Sequence, residues 1–419
     1  KFSTSGYRIN ILPHPGDGPG VVMRDQVKML KGTKTTWNFY PTYEAYETLM
    51  NDFQTLYPTL CHLETITTLP SGRKIIAAKI SDNVSTNEAE PEFLYTSSMH
   101  GDETTGYVLM LQLIEYLLQN YGTIQEVTDL VNNMEIYINP LANPDGTYYG
   151  GNSTVSGAIR GNANGVDLNR NYPDPEDGEH PDGEAWQPET VAFMNYASTH
   201  DFMAAANFHG GIEVVNYPWD TWVTRSADDS WWIMVSREYA DVCQANSPAG
   251  YMDDLNDGIT NGYDWYEVAG GRQDYMNFFH HCREFTVEIS TTKTVPAAQL
   301  PNYWNYNYRS FLLYLHQATY GFRGLITDQS SGNPVEAKVT LVGHDALNTE
   351  VYSTALHGDY YRPVKAGTYT IEVSAPCYVT QTLTNRTITD YNSVIQNFQL
   401  VPTAGVTTTA VTSITTISA

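Results

Sequence analysis

Apolar residues fall in two alternating rhythms over most of the chain. Tyr43, Tyr46, Leu49, Phe53 and Leu56 recur at the spacing of one helix face, and Pro58 closes the pattern. Strand-like runs follow at 75–80 and 93–99. A second helical stretch covers 106–120, with Val108, Leu111, Ile114 and Leu118 on one side. The alternation then repeats: strand 134–139, helix 188–199 opening on Pro188, strand 202–208, helix 228–244, strand 284–289 and helix 296–319. Strands alternating with helices predict an α/β domain over 40–319, built on a mixed, mostly parallel central sheet flanked by helices.

The flanks read differently. Residues 1–39, interrupted by Pro13, Pro15, Gly16, Gly18, Pro19 and Gly20, form an irregular N-terminal lead-in. Beyond Tyr320 the pattern shortens to β-rich runs at 321–326, 337–342, 369–374 and 394–400, separated by Gly, Pro, Asn and Asp. Residues 320–402 therefore predict a small all-β sandwich, and the Thr-rich 403–419 a tail outside any core.

Composition narrows the function. The 419 residues correspond to two or three domains at roughly 150 residues each. With 31 Tyr, 13 Phe and 8 Trp and only 16% charged residues, the chain has ample aromatic surface to fold. Its formal net charge of −25 excludes a generally basic nucleic-acid binder. From residue 321 onward there are 5 Lys and Arg against 7 Asp and Glu, so nearly all the excess acid belongs to the larger domain. Such a field favours cationic substrates, although solubility alone would also account for it.

No apolar run approaches 18 residues, so no membrane span is predicted. The chain starts at Lys1 without a Met or a charged-then-apolar leader, which leaves open a removed signal or a trimmed chain. Four cysteines without a CxxC pair argue against cysteine–zinc or thioredoxin-like chemistry. They leave one disulfide, such as Cys243 to Cys282, or four buried thiols. Asn83, Asn152 and Asn385 begin glycosylation-type triplets.

Candidate chemistry clusters where strands end. His100 and Glu103 follow one strand and open a helix, His209 directly follows another, and Glu288 lies at the end of a third. Two imidazoles and a carboxylate are the ligand set of a catalytic zinc with an open position. A further carboxylate can then serve as general base toward water activated by the metal. Ligands of open α/β sheets gather at these carboxyl ends. The run His280-His281-Cys282 reads instead as packing, since adjacent side chains diverge. The Asn- and Gly-rich stretch from Arg160 to Pro173 reads as a loop presenting Arg160 and Arg170, whose guanidinium forks suit carboxylates and oxyanions.

These motifs together resemble the zinc metallocarboxypeptidases of the funnelin type, and within them the regulatory N/E subfamily that includes carboxypeptidases D, N and E. The resemblance rests on His100–Glu103, Asn143-Pro144-Asp145-Gly146, the Arg160–Pro173 loop and His209-Gly210-Gly211 through Asp220. It continues through Asn261–Tyr266, Gly270–Tyr275 and Glu288-Ile289-Ser290. It implies the carboxypeptidase fold with a following transthyretin-like domain, and one Zn²⁺ on His100, Glu103 and His209. It further implies Glu288 as general base and proton shuttle, and Arg160 as the group that polarises the scissile carbonyl. Asn169, Arg170 and Tyr266 would clamp the substrate's α-carboxylate, and Asp167 would orient His100. Asp220, with Gln273, would meet a C-terminal Lys or Arg side chain.

The implied protein is a monomeric, secreted, periplasmic or cell-surface exopeptidase acting on peptide or protein C-termini, preferably basic ones. Two residues depart from the subfamily pattern. Asp102, where Asn is common, is expected to raise the pKa of zinc-bound water or to cap the following helix, and Glu213 to face either the site or solvent. Two rival readings keep the scaffold: a peptidase of cell-wall peptides containing a diamino acid, and a non-catalytic adhesion module. The second requires loss of Glu288 or a metal ligand, and none is lost.

Overall fold

The computed structural model describes residues 20–403. An eight-stranded sheet runs in the order Cys61–Thr68, Lys74–Ile80, Glu135–Asn139, Glu92–Ser97, Phe202–His209, Arg283–Ile289, Glu213–Tyr217 and Ile259–Asn261. The four central strands, from Glu135–Asn139 to Arg283–Ile289, pair in parallel; antiparallel pairing is confined to their flanks. The mixed, mostly parallel sheet expected from the alternation is therefore present.

Both faces of the sheet are covered, and the two-residue period of the strands sorts their side chains between the two covers. Phe93, Tyr95, Ile136, Ile138, Ala206, Phe208, Phe285 and Val287 pack on one face with helices Tyr43–Leu56, Thr105–Asn120, Asp229–Ala245 and Leu300–Gln317. Leu94, Tyr137 and Ala205 pack on the other with helices Pro188–Ser198 and Arg272–Phe279, and Phe202 joins them because the register shifts beside Glu92 and Phe93. Helix Tyr43–Leu56 starts at Thr42, whose hydroxyl accepts from the Ala45 N–H at 3.3 Å, and buries the stripe Tyr43, Tyr46, Leu49 and Phe53. Helix Leu300–Gln317 begins four residues later than its periodicity suggests, because a 3-10 turn over Ala297–Gln299 takes up the first residues.

Residues 321–400 fold as two small sheets around Phe322, Ile326, Val339, Leu341, Tyr360, Ile371, Val373 and Phe398. They are tied to the larger domain through Asp228. This fully buried carboxylate accepts from Arg283 at 2.8 Å, Arg362 at 2.9 Å and His344 at 2.9 Å. Asp228, His344 and Asp345 also lie close enough to hold a metal ion, but the Arg362 guanidinium already bridges both carboxylates.

Several expectations need correction. No disulfide joins Cys243 and Cys282: both are free and buried, as is Cys61, while Cys377 is exposed, so four buried thiols is also wrong. The lead-in is irregular over most of 20–39 but contributes a two-residue strand, Met23–Arg24, beside Tyr40–Pro41. Residues 1–19 and nearly all of the tail lie outside the described residues. His280 and His281 diverge as expected, His280 toward the Tyr275 hydroxyl and His281 toward the Asn348 carbonyl. Among the described residues no helix is long and apolar enough to cross a membrane.

Candidate active site

The carboxyl ends of three neighbouring parallel strands bring the candidate metal ligands together. Glu92–Ser97 ends just before His100, and Ser98 turns the chain with a positive φ of 55°. The Ser98 hydroxyl donates to the Glu103 carbonyl at 2.8 Å, which closes the His100–Glu103 turn. Gly101 has to be glycine, since a Cβ there would lie 2.3 Å from the Gly146 backbone. His209 is the last residue of the next strand, and Glu288 is its register partner on the strand after that.

The ligand atoms converge. His100 Nδ1 and His209 Nδ1 each lie 2.9 Å from Glu103 Oε2 and 3.0 Å from one another. Zinc–nitrogen bonds of about 2.0–2.1 Å place tetrahedral ligand atoms about 3.3 Å apart, so this triangle needs only slight opening to accept the ion. The far ring nitrogens are also engaged. His100 Nε2 sits 3.0 Å from Asp167 Oδ1, and His209 Nε2 sits 2.7 Å from the Asn207 amide. The Asp167 carboxylate can accept from His100 Nε2–H, which leaves Nδ1 of that ring for the metal position.

Electrostatics agree with a cation site. Burial works against its charge, but His100 and His209 hold Glu103 well below the usual carboxylate range. Burial depresses His209 to about 4, which favours the neutral ligand form. Burial, then the Glu103 charge, push Glu288 up to about 8. Its Oε2 is shut from solvent with no hydrogen-bond partner among the described residues, an orphaned acceptor beside the metal position. The residues present therefore fit zinc.

Arg160 reaches this centre from the Asn-rich loop. Its Nε donates to Asp167 at 2.8 Å, and its Nη1 lies 3.1 Å from His100 Nδ1. Next along the cleft, the Asn169 side-chain oxygen accepts from the Arg272 N–H at 3.0 Å, and the Arg170 guanidinium stands 6.0 Å from the Tyr266 ring centre. Gly270, at φ +72°, comes so close to the Arg170 carbonyl that a Cβ would meet it at 2.4 Å. At Gly271 a Cβ would lie 3.6 Å from Asp220 Oδ2 and 3.8 Å from Asn169 Oδ1, so the missing side chain leaves room between these two groups.

Asp220 itself is 3% exposed. Its Oδ1 accepts from Asn216 Nδ2 at 2.9 Å and Gln273 Nε2 at 3.0 Å. Burial pushes this carboxyl up to about 6. Gln273 in turn accepts from the Thr286 N–H at 2.8 Å, linking the pocket to the strand that carries Glu288.

The structure thus brings the proposed site residues into one connected neighbourhood: His100, Glu103, His209, Glu288, Arg160, Asp167, Asn169, Arg170, Tyr266, Asp220 and Gln273. It corrects two expectations. Asp102 does not cap the helix, which starts at Thr104 without a side-chain cap; it pairs with Lys293 at 3.1 Å. Glu213 is buried, not turned to solvent, and accepts from the Thr291 N–H and hydroxyl, both at 3.1 Å, so it braces a loop. Asn207, Asp174 and Lys293 were given no part by the sequence. Asn207, two residues before His209 on the same strand face, carried the one usable signal.

This cleft is that of a metallopeptidase class, and the comparisons with known proteins identify it. The chain belongs to the zinc carboxypeptidase family, whose model matches residues 46–310. It is 36% identical over 374 residues to human carboxypeptidase D, an alignment taking in 85% of this chain and 26% of that one. To the human carboxypeptidase N catalytic chain it is 32% identical over 370 residues, 78% of each. The chain spans about a quarter of the length of its carboxypeptidase D relatives. Carboxypeptidase A from Helicoverpa armigera shares the fold, with a TM-score of 0.56 at 18% identity over 67% of this chain and 74% of that one.

Proposed function

We propose that this protein is a zinc-dependent exopeptidase that releases C-terminal Lys or Arg from peptides or proteins outside the cytoplasm. The observation that carries the basic preference is Asp220: a buried carboxylate with no ion pair among the described residues, next to the residues proposed to hold the chain end. A carboxylate so placed rewards a cationic side chain and penalises an apolar one.

The proposed roles follow from position. His100, Glu103 and His209 hold Zn²⁺, which when bound supplies Lewis-acid polarisation of a carbonyl and acidifies water. Glu288 takes the proton from the attacking water and returns it to the leaving amine nitrogen. Arg160 donates to the oxygen that gains charge as the carbonyl is attacked. Asn169, Arg170 and Tyr266 bind the free α-carboxylate, which limits cleavage to the last peptide bond. Asp167 keeps the His100 ring turned toward the metal.

The test is kcat/KM on matched peptides ending in Arg, Lys, Leu, Phe or Glu, with added zinc and with a chelator. Chelator-sensitive release of Arg and Lys is expected. Faster release of Leu or Phe would overturn the basic preference and leave the peptidase standing. No release from any of the five would direct the assay to wall peptides ending in a diamino acid.

A further inference from the structure

The floor beneath Asp220 is built from two more buried acids. Asp174 is 3% exposed and Asp274 is 0% exposed. Among the described residues, no ion pair reaches Asp174, Asp220 or Asp274. Their side-chain hydrogen bonds come from backbone N–H groups, the Thr221 hydroxyl, Asn216 and Gln273. Such burial of acids with no cation among them is costly and calls for a local reason.

For Asp274 the geometry supplies one. It lies in helix Arg272–Phe279, directly after Gln273. Its two oxygens accept the Asp220 N–H at 3.1 and 2.9 Å, and Oδ2 also accepts the Thr221 N–H at 2.8 Å. One carboxylate thus grips the main chain of two consecutive residues. Asp220 has little slack on its other side, since a Cβ on Gly262 would lie 1.7 Å from Asp220 Oδ1. Gln273 holds the same Oδ1, so consecutive helix residues secure Asp220, one through its side chain and one through its backbone. Neighbouring Asp174 takes the Thr221 hydroxyl at 3.1 Å and the Gly270 N–H at 2.9 Å, tying the same turn to the glycine pair beside Arg170.

We infer that Asp274 is a positioning residue for basic specificity, fixing the Asp220–Thr221 main chain so that the Asp220 carboxylate stands where a cationic C-terminal side chain arrives. The inference deepens the proposed function and rests on its basic preference. The ionised carboxylate suits the task because both its oxygens then only accept, as the three backbone N–H contacts require. An amide in its place offers one acceptor, and its NH2 would oppose the Asp220 N–H.

The experiment compares wild type, Asp274→Asn, Asp220→Ala and the double variant, zinc-loaded, on peptides ending in Arg and in Leu. Asp274→Asn is expected to raise KM for the Arg peptide about tenfold, with its kcat and both Leu-peptide constants held within about threefold. In the Asp220→Ala background the second substitution is expected to change Arg-peptide kcat/KM by less than about twofold, because it acts through Asp220. Equal losses on both peptides in both backgrounds would reduce Asp274 to general support of the fold and overturn the inference, as would no change at all. Should Asp274→Asn fail to fold, Asp274→Ser, smaller and still an acceptor, is read by the same pattern. A wild-type enzyme that prefers Leu would instead sink the basic preference on which the inference stands.

Discussion

His209 and Glu288 are register partners on adjacent parallel strands, His209 the last residue of its strand and Glu288 the next to last of its own. The spacing between one candidate metal ligand and the candidate base is thereby set by the sheet, the stiffest element available, and not by a loop. This predicts a clean separation of roles. Glu288→Gln, which keeps shape and removes the proton acceptor, should lower kcat by about 10²–10⁴-fold while zinc stays bound. Metal content by atomic emission beside steady-state kinetics checks this. Zinc lost along with activity would make Glu288 part of the metal-holding group.

Asp220 makes the proposed specificity depend on pH. Its carboxyl is raised to about 6 by burial, with like charge from Asp174 and Glu284 adding to it, and Arg170 and the Asn216 hydrogen bond opposing. For folding, a raised carboxyl contributes stability that is whole below its unfolded value of about 3.9 and is lost as pH rises through about 6. For binding the direction reverses, since only the ionised form pairs with a cation. KM for an Arg-ended peptide should therefore climb as pH falls below about 6, by up to about tenfold per pH unit, while a Leu-ended peptide lacks that limb. Parallel pH profiles for the two peptides would remove Asp220 from the pocket.

Much of this site was legible because its chemistry sits in short motifs at strand ends. His100 with Glu103, His209 and Glu288 each close a run whose hydrophobic pattern announces a strand. What stayed hidden depends on long-range pairing. Lys293 meets Asp102 across 191 positions, and Asp274 meets Asp220 across 54, and no local pattern encodes either contact. Strand Cys61–Thr68 was missed because it lies at the sheet edge and is half exposed, so its polar Thr and Glu positions break the apolar rhythm. Helix Arg272–Phe279 was missed because the preceding Gly270-Gly271 reads as a loop, while the polar Arg272, Gln273, Asp274 and Asn277 are buried beside Tyr275 and Met276 and blur the apolar rhythm.

The proposed α-carboxylate clamp is tested at Arg170. Its Nη1 donates to the Asn169 carbonyl at 2.6 Å, and the guanidinium also stands against Tyr266, 6.0 Å from the ring centre. Removing a buried charge partner costs about 2–5 kcal/mol, and Arg170 is half-buried, so Arg170→Ala should raise KM for free-acid peptides by about 30-fold, the low end of that range. A C-terminally amidated peptide lacks the second charge and should be turned over equally poorly by both enzymes. A variant that lost as much on the amide as on the acid would show that Arg170 supports the loop and does not bind the chain end.

The tie between the two β-rich and α/β portions makes the last prediction, about stability. Asp228 accepts from Arg283 of the central sheet and from Arg362 and His344 of the smaller sandwich, and all but His344 are fully enclosed. Burial works against its charge, but Arg362, then Arg283, hold its carboxyl well below the usual range. The resulting stabilisation is whole above about pH 4 and is lost only as acid approaches the depressed value. Asp228→Ala would leave the buried Arg283 guanidinium without its carboxylate and Arg362 with Asp345 alone, and breaking such a network costs about 3–5 kcal/mol. Chemical denaturation at neutral pH should show that loss. Because Asp228 lies outside the cleft, kcat/KM of the folded fraction should stay near wild type. A small change in stability would mean that water replaces the carboxylate at both arginines, and that the sandwich is held chiefly by its apolar contacts.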